Sequence, residues 1–285
     1  MAPDVSIIIV NYNSGDCLKQ CIESIYAHTQ NIDFEIIVVD NASTDSSFVN
    51  LCVQFVNLCG IKNQDNLGFS AANNIGAKTA TGKYLFFLNP DTLLIDNSIH
   101  RFYEFLESAE PDIVSCGGLL IRPTGEPDTS FGNFPTLFQA FSDIGFRWLY
   151  RRYYDRHLSI AQSRAFDSPQ PAGYLSGADI FIRREAFLNA GGFEEAYFMY
   201  YEDCDLFYRL NKSGYRAVIL PDVKIVHHKS VSTATGGGFN YQKYALMEKS
   251  KYLYFGKNHG ALSAKIAKLF QVIAVAVHSH RKNME

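Results

Sequence analysis

Apolar runs and helix-spaced segments alternate through the first 116 residues, and this alternation constrains the fold more than any other feature. Val5–Val10 and Phe34–Val39 are continuous apolar, β-branched runs, as expected for strands covered on both faces. Apolar residues then recur at helical spacing, as at Leu18, Ile22 and Ile25. The alternation predicts an α/β fold with a mostly parallel central sheet and helices on both faces.

The same patterns extend over most of the chain. Further strands are expected at Leu58–Lys62, Tyr84–Leu88, Ile113–Cys116, Asp179–Arg183, Ala217–Leu220 and Val223–Val226. Helices are expected at Leu18–Tyr26, Phe48–Val56, Ala71–Thr79, Asp96–Ala109, Asp203–Lys212 and from Tyr241 onward. The stretch from Arg122 to Pro171 predicts loops and a short helix. Helix-end candidates are Ser14, Ser43 and Thr44 at N-termini and Gly214 as a left-handed C-cap.

Charge and hydropathy exclude several classes of protein. The net charge of −3 over 285 residues gives no electrostatic case for a nucleic-acid partner. No window reaches the roughly 18 apolar residues of a membrane span, and the N-terminus does not have the pattern of a signal peptide. The six cysteines form no CxxC pair, so we expect reduced core residues in a cytosolic protein.

Polar side chains follow three of the predicted strands. Asn11-Tyr12-Asn13, Asp40-Asn41 and Asn89-Pro90-Asp91 each stand at a strand end. Ligands of open parallel sheets bind beyond the carboxyl ends of the strands. Asp and Asn can also simply cap the next helix, but Asp40 lies several residues before its helix, which favours a functional role there.

The chain lacks the usual backbone cradles for phosphate. There is no GxGxxG after the first strand and no GxxxxGK[ST] anywhere. A bound diphosphate would therefore need another counter-charge, for example a divalent cation on oxygen ligands. Asp91 could be one such ligand, although an Asn-Pro-Asp turn can also merely reverse the chain.

A second acidic cluster, Glu202, Asp203 and Asp205, stands at a predicted helix start. The helix dipole explains part of it, and Asp205 has Arg209 at i+4 as a plain ion-pair partner. Crowding by aromatics and by each other can raise the pKa of Glu202 or Asp203 into the range of a general base. His227, at a strand end, is either a structural histidine or a metal ligand.

The ordered set of these motifs resembles the family 2 glycosyltransferases. The resemblance covers about residues 4 to 232, and its bacterial rhamnosyltransferase-like branch is the most similar. It rests on Val5–Asn13, Val38–Asp45, Asn66–Phe69, Leu88–Thr92, Gly177-Ala178, Gly191–Phe193, Tyr201–Leu206, Arg209-Leu210, Gly214-Tyr215 and His227. The resemblance implies a GT-A fold over residues 1–240, with a nucleotide-binding half (1–116), an acceptor and catalytic half (117–240), and C-terminal helices over 241–285.

The resemblance also implies a role for single residues. Asp40 would hydrogen-bond a pyrimidine base. The other donor-site positions would be Val10, Tyr12, Asn66, Gly68, Phe69, Asn89, Ala178 and Gly192. Asp91 would hold Mg²⁺ or Mn²⁺ on the diphosphate, with His227 completing the site. Asn89 replaces the first acid of the family's DXD motif, which removes one charge from the metal site.

The implied reaction is an inverting, metal-dependent hexosyl transfer. Asp203, with Glu202 beside it, would deprotonate a hydroxyl of a glycan or lipid-linked acceptor. The donor expected from the resemblance is dTDP-rhamnose, as in surface polysaccharide synthesis. A UDP-hexose-dependent transferase, a hydrolase or nucleotidyltransferase of the same fold, and a non-catalytic sugar-nucleotide-binding protein are the alternatives.

The C-terminus suggests a membrane contact. Leu262, Ile266, Leu269, Phe270, Ile273 and Val277 recur on one helical face, flanked by Lys265, Lys268, Arg281 and Lys282. Such a helix either packs on the core of its own domain or lies in a membrane interface. Together with an Arg-rich patch between Arg147 and Arg156, it predicts a cytoplasmic protein with peripheral contact to the inner face of the membrane. The sequence does not indicate an oligomeric state.

Overall fold

The fold is known from a computed structural model. It describes residues 2–55, 58–142, 144–145, 147–159, 166–228 and 240–282, without the side chains of residues 50, 52, 53 and 277–282. The predicted helix positions Val56 and Val277 fall outside this description, as do the side chains of Cys52, Arg281 and Lys282.

Strands and helices alternate along the described chain as predicted. The strands are β1 (Val5–Asn11), β2 (Phe34–Asp40), β3 (Leu58–Lys62), β4 (Tyr84–Leu88), β5 (Thr92–Leu94), β6 (Ile113–Ile121), β7 (Phe131–Gly132), β8 (Gln170–Ala172), β9 (Tyr174–Leu175), β10 (Asp179–Arg183) and β11 (Arg216–His227). The helices are α1 (Asp16–His28), α2 (Ser47–Gln54), α3 (Phe69–Thr79), α4 (Ser98–Ser108), α5 (Leu137–Ser142), α6 (Arg151–His157), α7 (Arg184–Asn189), α8 (Glu202–Lys212), α9 (Tyr241–His259) and α10 (Ala261–Lys282). A 3₁₀ turn, Arg147–Tyr150, precedes α6.

A nine-stranded sheet forms the centre of the molecule. Its order is β3-β2-β1-β4-β10-β6-β11-β5, with β8 added beside β11. The first four strands are parallel to one another, and β6 is parallel to β11. β10 is antiparallel to both of its neighbours. The mostly parallel sheet with flanking helices confirms the predicted GT-A type of α/β fold.

The core lies on both faces of this sheet. Successive residues of β1 alternate between two apolar clusters, with Ile8 in one and Ile7 and Ile9 in the other. Phe86 and Phe87 of β4 divide in the same way. All five side chains are fully buried, which explains why these strands have uninterrupted apolar sequences.

Strand register gathers polar residues along one edge of the sheet. Asn11 is paired with Asp40, and Asp40 with Lys62, where β1, β2 and β3 end. Farther along, Asp179 is opposite Leu88, the last residue of β4. These pairings position the candidate site.

Several local predictions were wrong. Ser43 and Thr44 do not open α2, which begins at Ser47, because both are bound to Asn11 and Asn13 at the end of β1. The residue before α1 is Gly15 rather than Ser14. The two strands expected between Ala217 and Val226 are one strand, β11, with a register shift between Leu220 and Lys224. Cys59 is exposed on β3 instead of lying in the core.

Other local predictions are confirmed. Gly214 ends α8 with φ of +87°. The described cysteines, Cys17, Cys21, Cys59, Cys116 and Cys204, are all free thiols. In the described part of the stretch from Arg122 to Pro171, every helix and strand is short.

The C-terminal helices pack on the domain unequally. Tyr254 and Phe255 of α9 are buried in the same apolar cluster as Leu206 and Leu210 of α8. α10 packs along α9 and α5 and buries Ala267. Of the helices in the described ranges, none is both long and apolar enough to cross a membrane. The division at residue 240 remains a prediction.

Candidate active site

Asp40 lies at the end of β2 in a buried polar network. Its carboxylate accepts hydrogen bonds from Asn11 Nδ2 at 2.8 Å and from the Ser43 backbone N–H at 3.3 Å. Only 1% of the residue is exposed. Asn11 Oδ1 is buried without a hydrogen-bond partner. The network therefore fixes the Asp40 side chain and leaves one buried acceptor beside it without a hydrogen bond.

An open cleft adjoins this network. Its volume is ≈ 500 Å³, and its lining residues are Ala42, Ser43, Lys62, Asn63 and Gln64. The Asn63 backbone N–H donates to the Asp40 carbonyl at 2.8 Å. Tyr12 is half exposed near the same edge, while Val10 is partly buried in β1. The cleft, Asp40 and Tyr12 are thus close enough in the fold to serve one ligand.

Asn41 shapes the loop Asn66–Phe69, which we call the donor loop because it contains the predicted donor-site residues Asn66, Gly68 and Phe69. Its Nδ2 donates to Asn66 Oδ1 at 2.9 Å and to the Gly68 carbonyl at 3.1 Å. Its Oδ1 accepts from Asn63 Nδ2 at 3.0 Å and from the Leu67 N–H at 3.1 Å. Sequence reasoning assigned no role to Asn41, although its place directly after Asp40 was the available signal.

The same loop touches the segment before the acidic cluster. Gly68 has φ of +84°, and a Cβ there would lie 2.5 Å from the Phe198 carbonyl oxygen. Only glycine allows this approach. The Phe69 backbone N–H donates to that oxygen at 2.7 Å. Gly68 and Phe69 therefore join the predicted donor loop to the segment that carries the predicted base.

His227 and two aspartates form a compact acid–imidazole group. His227 Nε2 lies 3.4 Å from Asp91 Oδ1, and Nδ1 lies 3.0 Å from Asp128 Oδ2. Each of the three residues is less than a tenth exposed. Burial lowers the pKa of His227, but the hydrogen bonds and charges of Asp91 and Asp128 outweigh it, so this pKa is raised above its usual value.

This group fits a hard divalent cation in part. Asp91 and His227 face each other with one oxygen and one nitrogen, and Asp128 fixes the ring by accepting at Nδ1. The described residues contain no group of three His, Cys, Asp or Glu side chains that could hold a metal. Within this part of the chain, Asp91 and His227 could thus supply two ligands, and diphosphate and water oxygens would supply the others.

A short turn connects the acid–imidazole group to the acidic cluster through Asn89, Ala178 and Gly177. The Asn89 backbone N–H donates to the Ala178 carbonyl at 3.1 Å. The Gly177 N–H donates to Asp203 Oδ2 at 3.3 Å. A Cβ on Gly177 would lie 3.3 Å from the Phe69 ring and 3.9 Å from Glu202 Oε1. One short turn before β10 therefore contacts the donor loop, both predicted carboxylates and the chain leading to Asp91.

Glu202 and Asp203 begin α8 with raised pKa values. Burial raises the pKa of Glu202 well above its usual range, and the charge of Asp203 adds to this effect. Burial also raises the pKa of Asp203, although N–H groups of Cys204 and Gly177 partly oppose it. Glu202 Oε2 is buried without a partner, whereas both oxygens of Asp203 accept hydrogen bonds. Two coupled carboxyl groups here can store or accept a proton.

Gly192 has a packing role in the structure. It has φ of +72°, and a Cβ there would lie 2.7 Å from Asn74 Oδ1. Its carbonyl accepts from Arg209 Nη2 at 2.8 Å. Asp205 pairs with Arg209 Nε at 2.8 Å, which confirms its predicted structural role. Contact of Gly192 with donor or acceptor remains a prediction.

Asp128 and Asp179 were missed by sequence reasoning. Asp128 comes from the irregular middle region, where no periodic pattern points to it. Asp179 is fully buried at the start of β10, and its Oδ2 accepts from the Gly118 N–H at 2.7 Å. Burial raises the pKa of Asp179 well above its usual value. An acid at a buried strand start, directly after Ala178, was the only available signal.

Comparison with known proteins identifies the family of the chain. The profile described as Glycosyl transferase family 2 matches residues 6–187. The chain is 28% identical over 273 residues to N-acetylglucosaminyl-diphospho-decaprenol L-rhamnosyltransferase of Mycobacterium tuberculosis, covering 91% of this chain and 86% of the relative. It is 26% identical over 232 residues to rhamnosyltransferase WbbL of Escherichia coli, covering 79% and 83%.

Two solved structures share the fold. GalNAc-T7, crystallised with UDP, GalNAc and Mn²⁺, superposes with a TM-score of 0.63 at 15% identity, covering 90% of this chain. The chain spans only 50% of that protein's length. Mannosyltransferase PcManGT from Pyrobaculum calidifontis, in complex with GDP-Man and Mn²⁺, superposes with a TM-score of 0.60 at 16% identity, covering 100% of this chain and 76% of the other.

Proposed function

The chain belongs to glycosyl transferase family 2 and is a hexosyltransferase, and from that premise we propose that it transfers rhamnose from dTDP-rhamnose with inversion at the anomeric carbon. The acceptor in this proposal is a hydroxyl of a sugar linked through diphosphate to a polyprenol. The names of the Mycobacterium and Escherichia relatives support the sugar, and the former also supports the acceptor class.

One observation carries the proposal. The turn at Gly177-Ala178 contacts Asp203 on one side and Asn89, two residues before Asp91, on the other. The proposed cation-binding pair and the proposed proton acceptor thus border the same turn. A single displacement needs both groups near the anomeric carbon, because the acceptor oxygen bonds to one face of that carbon as the bond to the diphosphate breaks on the opposite face.

The protein's own groups have separable tasks in this reaction. Asp91 and His227 would hold Mg²⁺ or Mn²⁺, which when bound neutralises charge on the departing diphosphate. Asp40, Tyr12 and Val10 would bind the base and ribose, and the loop Asn66–Phe69 would border the nucleotide. Asp203 would accept the proton of the acceptor hydroxyl, and its raised pKa suits a base working near neutral pH. Glu202 would lie beside this base without itself taking the proton.

A donor panel tests the proposal. Purified protein with Mn²⁺ would be given dTDP-rhamnose, UDP-glucose, UDP-GlcNAc and GDP-mannose, with and without a polyprenyl-diphosphate-GlcNAc acceptor. We expect acceptor-dependent release of dTDP only, and a product with anomeric configuration opposite to the donor by NMR. Turnover of a UDP-hexose instead would establish the UDP-hexose alternative. Donor binding without any turnover would point to a non-catalytic binding protein.

A further inference from the structure

Two segments far apart in the chain form one exposed surface, which we call the basic apolar face. It comprises residues 137–142 and 147–157, which cover α5, the 3₁₀ turn and α6, and residues 261–276 of α10. α10 packs on α5, where the rings of Phe141 and Phe270 lie 5.7 Å apart. The 3₁₀ turn packs on α5 in turn, because Tyr150 stacks on Phe138 at 5.9 Å. The fold therefore joins the two segments into one unit.

Large apolar side chains stand out from this unit. Trp148 is 74% exposed, Leu149 59%, Leu262 71%, Leu269 56% and Val272 60%. More than half of each of these residues is exposed to solvent. Apolar side chains exposed together in this way mark a surface that another partner covers.

The charges of the face differ from those of the whole chain. The described residues of the face contain six Lys and Arg but only one Asp or Glu, in a chain of net charge −3. α10 has no carboxylate at all in its sequence. Lys265 and Lys268 are exposed among its apolar side chains, and Arg151 and Arg152 are exposed on α6. The partner should therefore be apolar inside and anionic at its surface.

We propose that the basic apolar face docks on a bilayer that contains anionic phospholipid. Trp148, Leu149 and the exposed aliphatic side chains of α10 would enter the interfacial layer, while the lysines and arginines contact headgroup phosphates. A second copy of the chain fits the face less well, because two such faces would bring like charges together.

The position of α9 gives the proposal a functional consequence, which rests on the proposed lipid-linked acceptor. α9 packs against α10 on one side, and its Tyr254 ring lies 5.8 Å from the Tyr201 ring on the other. Tyr201 directly precedes Glu202 and Asp203. A docked face would thus leave a single helix between the bilayer contact and the segment that carries the acid pair.

Vesicle flotation of the full chain tests the docking. We expect binding to vesicles of phosphatidylcholine with phosphatidylglycerol, weak binding to phosphatidylcholine alone, and loss of binding as salt is raised. Lys265→Gln with Lys268→Gln should weaken binding about 25-fold, at about fivefold for each charge near the surface. Trp148→Ser with Leu269→Ser should weaken binding on both kinds of vesicle.

A matched pair of substitutions provides the control. Lys78→Gln with Lys224→Gln removes two exposed charges outside the face and should leave flotation unchanged. Equal loss in both lysine pairs, or no flotation of the unaltered chain with anionic vesicles, would overturn the proposal. A dimer of the full chain that Trp148→Ser with Leu269→Ser converts to monomer, in sedimentation without lipid, would assign the face to a second copy instead. Thermal unfolding of each variant would verify its fold, and donor turnover on a short-chain soluble acceptor tests the transfer reaction separately.

Discussion

Asn258 of α9 donates a hydrogen bond from Nδ2 to Oδ1 of Asp205 at 2.8 Å, and this bond connects α9 to α8, the helix that carries Glu202 and Asp203. Asp205 is 1% exposed and has two further donors, Arg209 Nε at 2.8 Å and Tyr197 OH at 3.3 Å. A carboxylate buried to this degree depends on all of its donors.

Asn258→Ala should therefore lower the free energy of unfolding by about 1–3 kcal/mol, the usual cost of an unsatisfied buried group. Lys257→Ala is the matched control on the same helix. It removes an exposed pair with Glu194 and should cost about 0–1 kcal/mol. Urea denaturation of both variants measures the difference. Equal midpoints would mean that the Asn258 bond contributes nothing.

Asp91→Ala should abolish nucleotide binding that depends on Mg²⁺ or Mn²⁺, because only His227 would remain as a protein ligand. Asp128→Asn should keep the binding but weaken metal affinity about 10–100-fold, since it loosens the imidazole rather than removing a ligand. Calorimetric titration of the nucleotide with and without metal tests both. Asp96→Ala, which removes an acid paired with Arg101, is the control and should bind normally. An Asp91→Ala variant with unaltered metal dependence would refute the assignment.

Asp203→Asn keeps the side-chain shape and removes its basicity. Transfer should fall about 10²–10⁴-fold, with donor affinity nearly unchanged. Glu202→Gln should lower transfer much less, because Glu202 would not itself accept the proton. Single-turnover rates together with donor titrations separate the two steps. Full activity in Asp203→Asn with loss in Glu202→Gln would reverse the two roles.

Glu202→Gln should also stabilise the fold near pH 7. The pKa of Glu202 is raised in the folded protein, mainly by burial, so its protonated form suits the fold. That stability is complete below the unfolded pKa of about 4.3 and is lost as the pH rises towards the folded value. Because a Gln side chain does not ionise, the variant does not lose this stability as the pH rises. Its Tm should exceed that of the unaltered chain at pH 7, by about 2–4 °C for each kcal/mol, and the excess should shrink near pH 4. A constant difference at all pH values would contradict this linkage.

Asp40 should select the base of the donor nucleotide. Asn11 and Ser43 occupy one acceptor position on each of its oxygens, and a carboxylate oxygen can accept a second hydrogen bond. The imide N–H of uracil or thymine can donate there, whereas cytosine lacks that N–H. In competition calorimetry, UDP and dTDP should outcompete CDP, ADP and GDP, and Asp40→Ala should remove the preference. Tight binding of GDP would exclude this pocket.

The parts of the fold that follow from local patterns could be predicted from the sequence. The uninterrupted apolar runs of β1 and β2 required burial on both faces, and the polar residues at their ends had to meet at one edge. The direction of β10 could not be predicted, because a run of five mostly apolar residues has the same hydrophobic pattern in a parallel and in an antiparallel strand. The bulge that keeps β11 continuous past Pro221 is likewise set by its neighbour β6.

The candidate site divides in the same way. Asp91 and His227 lie at predicted strand ends, and the structure brings them together. Asp128 could not be found, since its contact with His227 spans 99 residues and its own segment has no periodic pattern. Ser43 and Thr44 are good capping residues by composition, but Asn11 and Asn13 compete for them through tertiary bonds.

The bond from the Phe69 N–H to the Phe198 carbonyl has a consequence for substrate binding. The loop Asn66–Phe69 and the chain before Asp203 are therefore joined by a backbone hydrogen bond. They are also packed closely at Gly68, where there is no space for a side chain. A nucleotide that shifts the loop must also shift the acceptor side, and the resulting coupling is reciprocal. Each substrate should therefore change the affinity for the other by the same factor. Titration of the nucleotide with and without a soluble acceptor, and of the acceptor with and without the nucleotide, measures the two factors.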